Sequence, residues 1–497
     1  MTVHRGARIH GHPGANALRV SAGRIVEIGA AAGMGDTDVR DHGTGVILPG
    51  LRDGHIHPLG LAAAAGQVDL TDAATIAEVV ERIRAHAATA SPDRPIIATG
   101  VDDERLSEGR LPSAADLDSA ASDRPVLVYR HCSHVASANS LALAAGGIVN
   151  TSSDPTGGRI RRKPNGSANG ILEEAAITPV ATALGSALLS PDADALRTVL
   201  RGVQRRGVVA IDAMASVGSS MWCGGGDELA TIASVGDDSP VTITVFVICD
   251  TPEELQQAAH RLGTSGPMVK FGGWKGFADG SLGARTAALR APYTDDPGTN
   301  GMLMDIQIRE MARAATALGG VAAVHAIGDA AVEQVLTIAE SLDPGSVRIE
   351  HASVADPDQI GRMAAAGVTA SIQPSFVPAD SGWIGRRLGP HRQTWAYPFA
   401  SMWAAGVALR GGSDAPVESP DPFAGIRDAC GPGPEALSPS QAVDIYTATA
   451  LQPGAPATFI VCSDDPLHVP VEEISEIEVH ELWIQGVEVD HLRERSR

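Results

Sequence analysis

Apolar and polar positions follow two different periods along this chain of 497 residues. Through its middle, short runs rich in β-branched residues alternate with alanine-rich stretches of helical period, such as Glu310 to Leu318 and Ala331 to Ser341. Strand, helix and strand in this order predict parallel pairing. Eight candidate strands can be assigned: VILPGL (46–51), VVAID (208–212), VTITVFVI (241–248), MVKFGGWKGF (268–277), VAAVH (321–325), VRIEH (347–351), VTASIQ (368–373) and VALRGGS (407–413).

Eight strand–helix units favour an α/β fold in which 49–452 form a (β/α)₈ TIM-like barrel. A doubly wound open sheet is the alternative, because strand number alone separates the two folds poorly. Both ends of the chain are β-rich instead. ALRVSAGRIVEIG predicts a hairpin that turns at Ala22-Gly23, and ATFIVCSDDP and EVHELWIQGVEV predict strands. Since neither end has enough apolar residues for its own core, we expect 1–48 and 453–497 to form one small composite β-sandwich domain.

The alternation breaks between the first two candidate strands. They lie roughly 150 residues apart, far more than one helical crossover needs. This interval has its own predicted strands, PIIATGV (95–101) and PVLVYRH (125–131), and a predicted helix, TIAEVVERIRAHAA (75–88). We therefore expect an inserted α/β subdomain at about 62–195. It follows the C-terminal end of a barrel strand, where barrel enzymes build their active sites, so it is in position to cover the pocket.

Composition narrows the classes of function. A formal net charge of −21 argues against a nucleic-acid or anionic-membrane partner. No apolar run is long enough to span a bilayer, and the N-terminal MTVHRGARIHGHPG lacks the apolar stretch of a secretory signal. We expect a cytoplasmic protein that acts on a small molecule, with a homodimer as an open alternative to a monomer. Scattered cysteines without a CxxC pair agree with reduced thiols: Cys132, Cys223, Cys249, Cys430 and Cys462.

Two His-x-His pairs occur in the chain. His10 and His12 lie in the N-terminal β-segment with no apolar strand before them, so we interpret them as turn residues. His55 and His57 follow VILPGL and an Asp-Gly pair. Alternation along an extended backbone places these two side chains on one face, where they can bind one cation.

Further candidate ligands lie at the ends of other candidate strands. Each alone has a structural explanation, since a lone histidine is often a hydrogen-bonded core residue and an aspartate often caps the next helix. The C-terminal ends of barrel strands meet at one mouth, however, and side chains there converge. The sequence therefore predicts a metal site that combines the second histidine pair with Lys275, His325, His351 and Asp414.

The order His-x-His, Lys, His, His, Asp resembles that of the amidohydrolase superfamily. Longer segments resemble amidohydrolase family 3, the branch that contains N-substituted formamide deformylase. The resemblance extends from GRIVEIG to the final IQGVEV, and its motifs are specific for the family and poorly specific for the substrate. The matching segments are GRLPSAADLDSAASDRPVLVYR, HVASANSLALAAGGI, WKGFADGSLGARTAALRAPYTDDPGTNG, VHAIGDAAV, RIEHAS and GGSDAPV.

The resemblance implies a metal-dependent hydrolase that cleaves a non-peptide C–N bond in an amide, formamide or cyclic amide by metal-activated hydroxide. It implies one metal on His55 and His57 and a second on His325 and His351. The implied cofactor is Zn²⁺, as one or two ions, and other divalent metals would also suit these ligands.

Two further residues take part in the implied chemistry. Lys275 would be carboxylated at its amine and bridge both metals, because a carbamate offers two anionic oxygens whereas an ammonium cannot ligate a cation. Asp414 would bind metal and act as general base and then general acid. If Lys275 is instead in a structural salt bridge, the alternative is a mononuclear-zinc deaminase or imine hydrolase of the same superfamily. A catalytically silent scaffold is a third possibility, but such a protein is expected to lose ligands.

The resemblance also suggests residues that contact the substrate. His134 and Asn139 match a family element, G-H-x-x-x-x-N-S, which reads CSHVASANS in this chain and lies in the insert. The remaining candidates each have a structural alternative, such as a helix cap or a loop hydrogen bond: Glu173, Asp279, Arg285 and Gln373.

Overall fold

The computed structural model describes residues 1–31, 38–91, 94–185, 191–217, 227–304 and 307–489. Cys223 and the tail of the predicted C-terminal segment after 489 lie outside these residues. The strands are β1 (Thr2–Arg5), β2 (Arg8–Ile9), β3 (Ala17–Ser21), β4 (Arg24–Gly29), β5 (Val39–Asp41), β6 (Val46–Pro49), β7 (Leu51–Ile56), β8 (Val68–Asp69), β9 (Ile96–Val101), β10 (Val126–Arg130), β11 (Val135–Ala138), β12 (Gly158–Arg162), β13 (Ala168–Glu174), β14 (Val208–Ser216), β15 (Thr242–Ile248), β16 (Val269–Phe277), β17 (Val321–Ala326), β18 (Val347–His351), β19 (Thr369–Ile372), β20 (Ala408–Gly411), β21 (Phe459–Cys462), β22 (Val479–Ile484) and β23 (Val487–Glu488). The helices are α1 (Pro58–Ala64), α2 (Ile76–Thr89), α3 (Ala114–Ala120), α4 (Ser140–Ala145), α5 (Thr178–Gly185), α6 (Ala193–Gln204), α7 (Glu228–Ser234), α8 (Pro252–Gly263), α9 (Ile308–Ala317), α10 (Asp329–Ala339), α11 (Pro357–Ala365), α12 (Phe376–Asp380), α13 (Ile384–Arg392), α14 (Phe399–Ala404), α15 (Pro422–Ala429) and α16 (Pro439–Tyr446), with 3₁₀ turns at Gln393–Trp395 and Val471–Glu476.

Eight parallel strands form the central sheet, in the order β20-β19-β18-β17-β16-β15-β14-β7. The two outer strands meet, because Ile56 pairs with Ala415 in a parallel bridge. The backbone N–H of Asp414 also donates to the carbonyl of His55 at 2.7 Å. The sheet is therefore a barrel with helices between its strands, and the predicted (β/α)₈ fold is confirmed.

The buried pattern of each element explains why these segments fold as they do. All nine residues of β14 are buried, as expected for a parallel strand covered on both faces. In α9 the buried side chains recur at helical spacing, so one apolar stripe faces the barrel. These are Ile308, Met311, Ala312 and Ala315.

The first candidate barrel strand, VILPGL (46–51), is wrong as a barrel strand. Its residues 46–49 form β6, which pairs with β21 and β2 outside the barrel. The barrel strand is β7, the next segment, LRDGHI. Four successive buried residues make β6 the more apolar run, whereas β7 carries polar side chains toward the barrel interior. Gly50 separates the two strands, and a Cβ at this position would lie 2.8 Å from Cγ2 of Val209.

The two ends of the chain contribute to two small sheets. One has the order β4-β3-β1-β5, and the other has the order β2-β6-β21-β22-β23 and so contains strands from both ends. Leu18, Ile25, Ile47, Phe459 and Trp483 pack into one apolar cluster between them. Burial of this shared cluster joins the two ends.

The residues between β7 and β14 form a six-stranded sheet in the order β12-β13-β11-β10-β9-β8. Apolar clusters cover both of its faces, and helices α2 to α5 accompany it. Within the described ranges, no helix is long and apolar enough to cross a membrane.

Candidate metal centre

The structure brings all six predicted ligands to one cavity of about 250 Å³ at the C-terminal end of the barrel strands. His55 lies near the end of β7, and His57 follows the strand directly. Asp414 lies three residues after β20, beside the first strand of the barrel. The other three come from neighbouring strands: Lys275 from β16, His325 from β17 and His351 from β18.

His55 and His57 converge on Asp414. Its Oδ1 lies 3.3 Å from Nε2 of His55 and 3.2 Å from Nε2 of His57. These three ligand atoms all lie within 4.8 Å of one another, and Oδ1 has no hydrogen bond of ordinary geometry to any described residue. Burial opposes the charged carboxylate, but the charge of His55 holds the pKa of Asp414 well below its ordinary value. One oxygen and two nitrogens at these distances fit a divalent cation between them.

His325 and His351 complete the cluster from the opposite side of the cavity. Their ring centroids are 4.5 Å apart, and the ring of His351 is 5.0 Å from that of His55. Nδ1 of His351 donates to Oε1 of Gln373 at 2.7 Å, and Nε2 of His325 donates to the carbonyl of Gly280 at 3.0 Å. Burial lowers the pKa of His351 to about 3 and that of His325 well below its ordinary value. Both rings are therefore neutral, which is the form that binds metals.

Lys275 supplies a buried amine to the same cavity. The residue is 1% exposed, and its Nζ lies 4.3 Å from the ring centroid of Phe277. No described residue accepts a hydrogen bond from this Nζ. Burial lowers the pKa of Lys275 to about 8, although Glu350 and Asp414 oppose the shift. A buried amine without an acceptor is costly, and a bound group at this position would remove that cost.

His134 and Glu174 reach the same cavity from the inserted sheet. Nδ1 of His134 donates to Oε2 of Glu174 at 2.8 Å, and the ring of His134 is 5.2 Å from that of His325. Burial opposes the imidazolium, but Glu174 raises the pKa of His134 to about 9. Glu174 and the residue before His134, Ser133, both have positive φ angles, 51° and 61°. Such strained backbone clusters at functional sites, and His351 and Asp414 share it, at 73° and 57°.

Glu173, which the sequence suggested, does not line the cavity. Its carboxylate pairs with Arg159, at 2.6 Å from Nε, and with Arg161. Successive side chains of a strand point to opposite faces, so only one of two adjacent glutamates can face the barrel. In β13 that residue is Glu174.

Asn139 also lies away from the cavity. Its side chain accepts from the backbone N–H groups of Val126 and Ala142 and donates to the carbonyls of Ala121 and Arg124. It is the N-cap of α4 and fully buried. Every polar atom of the side chain is used in the fold, so none is left for a substrate.

Asp279 links the segments that follow β16 and β17, and Arg285 holds the loop after β16. The carboxylate of Asp279 accepts three backbone N–H groups at 2.8 to 3.0 Å, from Ala288, Ile327 and Gly328. Arg285 pairs with Asp295 at 3.0 Å. Neither is among the residues that line the cavity, although Oδ1 of Asp279 lies 3.5 Å from Nε2 of His325.

Gln373 lies beside the cluster and contacts a ligand candidate, as the bond from His351 shows. The pair His10 and His12 lies outside the cavity. His12 hydrogen bonds to the carbonyl of Leu451 at 2.7 Å, and His10 lies 3.5 Å from Asp444.

Sequence reasoning missed several residues of the site. Glu350 lies beneath His55 and hydrogen bonds to it, and its position one residue before His351 in RIEHAS was the available signal. Most of the others come from the insert or from barrel loops, and although some lie within the matching segments, nothing in the sequence marks them as cavity residues. The additional lining residues are Cys132, Ser133, Glu174, Ile177, Thr178, Ala181, Thr182, Ser216, Glu228, Ile248, Phe277 and Val417.

Comparisons with known proteins agree with this geometry. A family model described as "Amidohydrolase family" matches residues 38–490. The Bacillus subtilis protein YtcJ is 30% identical, over 89% of this chain and 88% of its own length. N-substituted formamide deformylase of Arthrobacter pascens is 25% identical, over 95% of this chain and 94% of its own length.

Solved structures extend the similarity to the fold. An uncharacterized metal-dependent hydrolase from Pyrococcus horikoshii superposes with a TM-score of 0.73 at 26% identity, covering 95% of this chain and 99% of its own. A second, from Pyrococcus furiosus, has a TM-score of 0.70 at 28% identity, covering 94% and 99%. The resemblance to amidohydrolase family 3 is thus confirmed, and this chain belongs to the amidohydrolase family and is a hydrolase.

Proposed function

We propose that this protein hydrolyses the C–N bond of a small amide, formamide or cyclic amide at a divalent metal centre, with Zn²⁺ as the metal. The observation that carries the proposal is the convergence of His55, His57 and Asp414 on one point, with their ligand atoms within 4.8 Å of one another. Imidazole nitrogens and a carboxylate oxygen are ligands that zinc prefers. His325 and His351 would hold a second ion.

A divalent metal in this cavity would supply a Lewis acid that polarises the scissile carbonyl and lowers the pKa of a water molecule. Asp414 is ionised in the folded protein, because the charge of His55 outweighs the effect of burial. Its carboxylate can therefore accept a proton from the attacking water and pass it to the departing nitrogen. This role requires no other general base among the ligands.

Lys275 is proposed to carry a carboxyl group on Nζ. Its lowered pKa leaves part of the amine neutral near pH 7. The neutral amine can add carbon dioxide, which gives a carbamate and releases one proton. The carbamate oxygens would bind both ions, and a buried amine that otherwise lacks an acceptor agrees with this modification.

The size and the walls of the cavity favour a small substrate. A volume of about 250 Å³ lies just below the usual range of ligand pockets. Phe277 is the one aromatic side chain besides the histidines on the described walls, and Ile177, Ala181 and Ile248 add apolar surface. His134, with Glu174 behind it, faces the cluster and is proposed to contact the substrate. The similarity to a formamide deformylase makes N-formyl compounds the first class to test.

The test combines metal analysis with a screen of N-formyl, N-acyl and cyclic-amide compounds, scored by release of the amine. The parent protein should contain divalent metal and hydrolyse at least one class. His57→Ala and Asp414→Asn should lower metal content and hydrolysis together. His480→Ala, at a half-exposed histidine far along the sequence in β22, is the matched control and should change neither. Full metal content and full hydrolysis in both site variants would overturn the proposal.

A further inference from the structure

Glu350 lies directly behind His55, on the side away from the cavity. Its Oε2 is 2.5 Å from Nδ1 of His55, and both side chains are buried. A carboxylate can only accept a hydrogen bond, so Nδ1 carries the proton. The other ring nitrogen, Nε2, faces Oδ1 of Asp414 at 3.3 Å, and loss of its proton would free it to bind a metal.

Arg348 fixes Glu350 from below. Its Nε lies 2.6 Å from Oε1 of Glu350, and its Nη1 donates to Oδ2 of Asp212 at 2.6 Å. Asp212 in turn pairs with Arg52 at 2.5 Å, and the Arg348 guanidinium lies 4.7 Å from the ring centroid of Phe246. These charges form a layer across the barrel interior, where most barrels pack branched apolar side chains. Burying such a layer costs free energy, and the pairing of these charges with one another offsets part of that cost.

His351 and His325 donate to neutral acceptors, although Nε2 of His325 also lies 3.5 Å from Oδ1 of Asp279. Nδ1 of His351 donates to the amide oxygen of Gln373, and Nε2 of His325 donates to the carbonyl of Gly280. An anionic acceptor behind an imidazole makes it a more basic metal ligand than a neutral acceptor does. His55 thus has a carboxylate as its hydrogen-bond acceptor, whereas His351 and His325 have an amide oxygen and a backbone carbonyl.

We propose that Glu350 is a positioning residue for His55, and that its charge makes the position formed by His55, His57 and Asp414 the tighter of the two metal positions. Glu350 touches neither metal nor substrate and acts through the orientation and basicity of the ring. This inference rests on the proposed metal centre.

Zinc binding to the metal-free protein tests the inference without any assay of hydrolysis. We would titrate Zn²⁺ in competition with a chromophoric chelator and record the absorption of the Co²⁺-loaded protein. The parent should bind its first ion more tightly than any second. Glu350→Gln keeps the size and the hydrogen bond but removes the charge, so affinity for the first ion should fall about 10- to 100-fold. The Co²⁺ spectrum should change with it.

Two further variants separate positioning from a purely structural role. Glu333→Gln removes a half-exposed carboxylate paired with Arg362 and is the matched control, with zinc affinity unchanged. If Glu350→Gln does not fold, the double variant Arg348→Met with Glu350→Gln removes the unpaired buried cation. Its first-ion affinity should remain about 10-fold or more below that of the parent.

The outcomes distinguish this inference from the proposed function. A parent protein that binds no divalent metal would overturn both. Metal binding in the parent with equal first-ion affinity in folded Glu350→Gln, or parent-like affinity in the double variant, would overturn the role of Glu350 alone.

Discussion

Replacing Lys275 with methionine should make the metal-free protein more stable while it removes the proposed bridging ligand. Methionine has a similar length and no charge, and the amine that it replaces is buried without an acceptor among the described residues. The parent protein must bury this amine in its charged form or lose the proton, and both cost free energy. The Lys275→Met variant avoids both of these free-energy costs.

The size of the effect follows from the pKa of Lys275, which burial lowers from 10.5 to about 8. Between these values the unfolded chain binds more protons than the folded chain, so the stability of the parent rises with pH across this window. Below pH 8 the parent carries the full penalty, about 3 kcal/mol at 1.36 kcal/mol per pKa unit. At pH 10 the penalty falls to about 1 kcal/mol. Lys275→Met should therefore gain about 3 kcal/mol at pH 7 and about 1 kcal/mol at pH 10.

Urea unfolding of both metal-free proteins in buffers free of carbon dioxide measures this difference. Lys270→Met is the matched control, because Lys270 is an exposed lysine of the same strand, and its stability should stay within about 0.5 kcal/mol of the parent. A variant at Lys275 that is no more stable than the parent at pH 7 would refute the reasoning. A gain that is the same at both pH values would refute it as well, since it would come from packing and not from charge.

Three other predictions concern residues inside and outside the cavity. Glu174→Gln should lower kcat/KM for amide hydrolysis about tenfold or more, because it weakens the charged hydrogen bond to His134. Glu173→Gln should leave kcat/KM near the parent value. Equal losses would contradict the conclusion that only Glu174 faces the cavity. Burial and a neighbouring histidine lower the pKa of His4 to about 4. The neutral His4 ring therefore contributes fully to the free energy of unfolding above pH 6.5, and this contribution is lost as the pH falls toward 4. His4→Phe should remove up to about 3 kcal/mol of that acid-induced loss, measured by urea unfolding at pH 7 and pH 4.5, and an unchanged pH dependence would count against it. His10→Ala with His12→Ala should keep bound metal and hydrolysis, and loss of metal there would mean that the wrong histidine pair was chosen.

The convergence of the six candidate ligands on one cavity could be predicted from the sequence because barrel topology brings the strand ends together. Candidate strands located Lys275, His325 and His351 without any knowledge of distances, since the C-terminal ends of parallel strands share one edge. The same reasoning failed at the first strand. The apolar pattern indicated β6, whose residues are buried between sheets. It did not indicate β7, which is polar because it faces the charged layer of the barrel interior.

Substrate-facing residues were harder to predict, for a physical reason. Glu173 and Glu174 are chemically identical neighbours, and only the face to which β13 turns each of them decides which one enters the cavity. Asn139 matched a family element, yet its side chain is used up as a helix cap. Pairing and capping depend on partners that are distant in the sequence, so a local pattern does not specify them.

The closure of the barrel beside the candidate ligands has a consequence for when the proposed metal centre would form during synthesis of the chain. Ser413 donates to Asp53 from its backbone N–H at 3.0 Å and from its hydroxyl at 2.5 Å, across 360 positions of sequence. At the same junction between the first and last barrel strands, the backbone N–H of Asp414 donates to the carbonyl of His55. A nascent chain emerges N-terminus first, so the histidine pair leaves the ribosome long before the aspartate that completes the site. Binding of a metal at the proposed centre would therefore require the junction that closes the barrel, and fragments that end before Asp414 carry an incomplete set of the candidate ligands.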